Sequence, residues 1–103
     1  AYLPHIFLHF KKNQDHVTSL LFFKNDYFLR QLQKELEHHV YPMVAEDLRV
    51  SYPNIPSSFL KHFVVTNFIE TLTWWLKKGK SYKEDQVVRF YLGVIEMKSE
   101  KRL

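Results

Sequence analysis

Few side chains in this chain could make or break bonds, and their spacing argues against most chemistry. His5 and His9 stand four residues apart, which puts two imidazoles on one helix face and can hold a metal. No HExxH pattern accompanies them and no third ligand is evident, so no metal site is expected. His38 and His39 are adjacent and point to different sides of any helix that carries them. The carboxylates Glu35, Glu37, Glu46, Asp47, Glu84 and Asp85 mostly fall at helical spacing from lysines or in first turns, where they pair or cap. There is no Ser-His-Asp grouping, no Gly-rich phosphate loop and no nucleophile elbow. Cysteine is absent, which removes disulfide and thiolate chemistry and permits a cytoplasmic location. These residues imply neither an enzyme nor a cofactor.

Charge offers no stronger signal. The formal net charge is +4, and much of the excess sits in Lys77–Lys83 and Lys98–Arg102. Helix-end lysines and a solvated tail account for it. The basic residues are not interleaved with aromatics, and no recognition helix is evident, so this segment by itself is not expected to read DNA. No apolar run approaches the roughly 18 residues of a membrane span, and no signal peptide is visible.

What remains is hydrophobic. Residues 1–103 are short enough for one domain, and 17% aromatics favour a packed core over disorder. With two glycines and four prolines, turns are few and elements long. Leu3, Ile6, Phe7 and Phe10 predict a helix over Tyr2–Lys12, with Asn13 closing it or capping the next. Asp15–Phe23 reads as a short second helix. Asn25-Asp26 opens a third, with Phe28, Leu29, Leu32, Leu36, Val40, Met43 and Val44 at helical spacing and a kink or break at Pro42. Ser51–Pro56 is a loop. A last helix, expected over Lys83 to about Met97, follows a Ser81–Glu84 capping box. No strand pattern or internal repeat is present, so the class is all-α, a bundle of about five helices.

The dominant element is Ser57–Lys78. Ser57 and Ser58 offer N-cap oxygens, Lys77 and Lys78 suit the negative end of the helix dipole, and Gly79 offers a left-handed stop. Its apolar side chains cover more than one face. Val64, Phe68, Leu72 and Trp75 lie on one side, continued by Val65, Ile69 and Leu76, while Phe59, Phe63 and Trp74 lie on another. His62, Thr66 and Thr73 form a narrow polar arc. The Phe59–Phe63–Trp74 side, with Asn67 and Glu70 beside it and Val87, Tyr91 and Val94 of the last helix, is therefore expected to face a second copy of the chain across a two-fold axis. The surplus aromatics either complete a packed core or line a cavity for a small apolar effector. The candidate lining is Phe22, Phe28, Leu32, Phe68 and Trp75.

The segments HIFLHFKKNQDHVTSLLF, DYFLRQLQKELEHHV and FVVTNFIETLTWWLKKG, the last leading directly into a final helix, resemble the C-terminal regulatory domain of TetR-type bacterial transcription factors. Phe63 takes the place of a Phe early in the long helix, and Trp75-Leu76 that of a Trp-Leu pair before the Gly turn. The middle of that helix, often Gly-rich in such domains, is Thr66-Asn67 here. The resemblance implies a homodimer through the last two helices. It also implies an effector held among the helices, and DNA contacted only through an N-terminal helix-turn-helix domain outside this chain. The alternative is a stand-alone helical interaction module or a co-regulator without a ligand.

Overall fold

The computed structural model describes residues 8–78 and 81–100, apart from the side chains at 14 and 96–100. Among the described residues there are six helices and no strand: α1 over 8–12, α2 (Gln14–Phe22), α3 (Asp26–His39), α4 (Tyr41–Ser51), α5 (Ser57–Lys77) and α6 (Glu84–Glu100). The helix expected from Tyr2 is therefore described only from residue 8. His5 and Gly79 lie outside the described residues, and with them the His5–His9 pairing and the left-handed stop.

α5 is the axis of the bundle and packs against α2, α3, α4 and α6. Its Val64, Phe68, Leu72 and Trp75 recur at steps of four, four and three, so they form one face. All four are removed from solvent, Trp75 at 1% exposure and the others at 0%. Leu32 and Leu36 of α3, Val44 and Leu48 of α4, and Val87, Tyr91 and Ile95 of α6 close on that face. Each fully buried side chain of this size contributes about 1.5–3 kcal/mol, so this single core drives the collapse of all the helices onto α5.

The boundaries show which local signals won. The structure separates α3 from α4 at Val40, two residues before Pro42. Val40 N–H donates to Leu36 O at 2.8 Å and ends α3, while its own carbonyl accepts from Met43 N–H at 3.0 Å and starts α4. Pro42 thus sits in a first turn, where its missing N–H costs nothing, instead of breaking a helix interior. Asn13 closes α1, its amide donating to His9 O at 3.0 Å, and makes no side-chain cap to α2.

Two expected caps are corrected. Ser57 and Ser58 are already inside the first turn of α5. The N-cap is Pro56, whose carbonyl accepts from Phe59 N–H and Leu60 N–H, and no side chain caps this end. The start of α6 is not a Ser81–Glu84 box. Lys83 occupies the cap, and Gln86 Oε1 accepts from Lys83 N–H at 2.9 Å. This is the back-reaching half of a capping box, displaced by two residues. Helix α6 also continues to Glu100, three residues past the expected end.

Candidate functional site

Helices α5 and α6 run antiparallel, with Trp74 and Trp75 near Tyr82 at one end and Val64 near Tyr91 toward the other. Two side chains fasten the pair. The Tyr91 hydroxyl donates to Val64 O at 2.7 Å, and Trp75 Nε1–H donates to Tyr82 O at 2.9 Å. Phe68 and Tyr91 meet edge to face with ring centroids 5.4 Å apart. The Tyr91 phenol is buried, and desolvation pushes its ionisation well above the ordinary range.

On the outer side of this pair runs an open groove of about 470 Å³. Val87 and Tyr91, both buried, form its floor, and Phe63, Trp74, Phe90 and Val94 form its walls. Trp74, Phe90 and Val94 are 41%, 46% and 56% exposed, which is a large apolar area left in water. Its polar members are partly neutralised by their own helix. Asn67 Nδ2 donates to Phe63 O at 2.7 Å, and Thr71 Oγ1 donates to Asn67 O at 2.8 Å. Glu70 is the charged group on the rim.

An aromatic run closes one end of the groove. Trp74 stacks on Tyr82 at 5.9 Å, and Tyr82 meets Phe90 edge to face at 5.2 Å. At the other end Phe63 and Ile95 lead into a smaller apolar cleft of about 220 Å³, lined also by Leu48, Tyr52, Ile55, Phe59 and Leu60. The two hollows share an edge, so the apolar surface continues from Trp74 to Phe59.

The residues expected to face a second copy are thus brought together. Phe63, Asn67, Glu70, Trp74, Val87, Tyr91 and Val94 all line the groove, and Phe59 lies in the adjoining cleft. Val87 and Tyr91 hold α6 against α5 and present little surface of their own. Phe90 was missed. It stands three residues from Val87 and four from Val94, the same helical face, so the signal was present in the spacing.

The expected effector lining is not brought together as a cavity. Leu32, Phe68 and Trp75 are buried in the core and Phe28 packs half-buried against it, and none of the four lines a described cavity. Of the two expectations for the surplus aromatics, Phe68 and Trp75 meet that of a packed core. Phe22 alone lines a groove, one between α2, α3 and α5. Among the described residues no three His, Asp or Glu side chains gather as metal ligands, and no helix is long and apolar enough to cross a membrane.

Residues 1–96 match a family model described as a transcriptional regulator C-terminal region. No curated protein and no solved structure matches the chain.

Proposed function

The chain belongs to the TetR-type family of transcriptional regulator C-terminal regions, and from that membership we propose that it is the pairing and sensing half of a cytoplasmic transcription regulator. Two copies join through α5 and α6, the grooved faces meeting around a two-fold axis as a four-helix arrangement. Each copy carries an N-terminal helix-turn-helix domain. A small effector that prefers one arrangement of the bundle shifts the spacing of the two DNA-reading domains, since only differential affinity for two states moves such an equilibrium.

The observation that carries this reading is the exposed apolar wall of the α5–α6 groove. Trp74, Phe90 and Val94 are already about half buried, so covering the rest is worth roughly half of the about 1.5–3 kcal/mol that full burial of each would give, and a patch of this kind on a small domain marks an interaction surface. A self-complementary face needs only one surface to solve both copies' exposure. Its charge is confined to Glu70 at the rim, and its floor is formed by the buried Val87 and Tyr91, an apolar centre with a polar edge.

Sedimentation equilibrium of this chain at micromolar concentration tests it. The wild type is expected as a dimer, and Val94→Glu as a monomer of unchanged helicity, because Val94 is exposed and its loss leaves the core intact. A helical wild-type monomer across that range would sink the proposal.

A further inference from the structure

Between α2, α3 and the C-terminal half of α5 lies a second groove, of about 570 Å³ and different chemistry. Leu21, Phe22, Leu29 and Ile69 give it apolar walls, and Lys24 and Lys77 are its two basic lining residues. We propose that this groove binds a small amphipathic carboxylic acid, its apolar body on those walls and its carboxylate at the two lysines.

Three features point to this class. First, neither ammonium is paired with a carboxylate among the described ion pairs, which join Arg30 to Asp26, His39 to Glu35, Arg49 to Glu46 and Arg89 to Asp85. The Lys77 ammonium instead lies over the Phe22 ring, 5.2 Å from its centroid. An ammonium on an aromatic face turns part of itself to the ring and still has N–H donors left over for an anion.

Second, Lys24 is anchored where it stands. Its φ of 52° is left-handed, a conformation that glycine adopts without strain and lysine does not. The turn is held by Lys24 N–H to Leu21 O and Asn25 N–H to Leu20 O. The base of this side chain is therefore fixed at the end of α2, beside the exposed ring of Phe22.

Third, the size and sign fit. The volume lies within the roughly 300–1,000 Å³ of small-molecule sites. Glu70 also reaches this groove, so two positive groups face one negative group and an anion is favoured. A neutral alcohol could accept a hydrogen bond from an ammonium but brings no opposite charge to offset its desolvation, and a cationic amphiphile would add repulsion. This inference rests on the sensing reading for its biological use. The binding itself requires neither DNA nor a second copy.

The test is calorimetric titration of the chain at low ionic strength with decanoate, decanol and decyltrimethylammonium, each below its aggregation concentration. Decanoate is expected to bind saturably, one per chain, and more tightly than the other two. Lys24→Gln and Lys77→Gln should each weaken it by roughly two- to fivefold, the range of an exposed charge pair, and Glu70→Gln should tighten it by a similar factor. Circular dichroism verifies that these exposed substitutions leave the fold intact. Equal affinity for decanol, indifference to both lysine substitutions, or absence of saturable decanoate binding would each overturn the assignment. A monomeric chain that binds decanoate, or a dimer that does not, separates this inference from the pairing of α5 and α6.

Discussion

Tyr91 joins α6 to the centre of the molecule through one atom. Its hydroxyl donates to Val64 O at 2.7 Å from a buried site, so Tyr91→Phe should cost about 0.5–1.5 kcal/mol, the net worth of one such bond. The same residue makes stability fall in alkali. Burial raises the folded-state pKa above the ordinary 10.0, so above that pH the unfolded chain loses the proton and the folded chain keeps it. The contribution is complete below pH 10 and is lost as pH rises toward the folded value, at up to about 1.4 kcal/mol per pH unit. Urea midpoints at pH 8 and 11 should therefore drop further for the wild type than for Tyr91→Phe. Equal drops would mean that the phenol reaches water.

Helix α2 shows how an element can end at a cost. Asn25 N–H to Leu20 O and Lys24 N–H to Leu21 O are the two bonds of a Schellman motif, and Lys24 takes the left-handed position. Asn25 then starts α3 at once, its Oδ1 accepting from Phe28 N–H at 2.9 Å. Two helices are thus joined by a very short corner whose geometry is dictated by hydrogen bonds, while the residue at its strained point is not the one that relieves the strain. Lys24→Gly should stabilise the fold by about 0.5–1 kcal/mol, the steric relief exceeding the added freedom of the unfolded chain. The expected readout is a higher urea midpoint with an unchanged slope. A lower midpoint would show that the lysine side chain itself holds the corner. Under the carboxylate proposal this same substitution weakens decanoate binding, so stability and binding should move in opposite directions.

For the whole molecule, the division between buried and wet apolar surface follows one helix. The Val64–Phe68–Leu72–Trp75 face of α5 holds the core, and the face bearing Trp74 looks outward with Phe90 and Val94. If two copies pair there, folding and association are linked, and the melting temperature depends on protein concentration. Raising the concentration tenfold should raise the melting temperature of the wild type and leave that of Val94→Glu unchanged. A concentration-independent wild type would place the outward face in water.

Much of this fold is legible in single residues. A step of about 100° per residue is a local rule, so the two faces of Ser57–Lys77, the helical class and the interruption near Pro42 could be read without tertiary information. Most residues of the α5–α6 groove followed from the same periodicity, Phe90, Thr71 and Ile95 being the additions. Cap identity did not, because several suitable residues lie within one turn and the path of the incoming chain selects among them. Pro56 displaced Ser57 in this way, and Lys83 displaced Ser81. Nor could sequence say whether Phe28, Leu32, Phe68 and Trp75 enclose a void or fill one. That depends on how closely helices distant in sequence approach, and among the described residues Leu32, Phe68 and Trp75 are core side chains with Phe28 packed against them. The groove of Phe22, Lys24 and Lys77 likewise exists only after folding. Side chains from the end of α2 and the end of α5 become neighbours through the burial of the core between them, and no spacing along the chain records that.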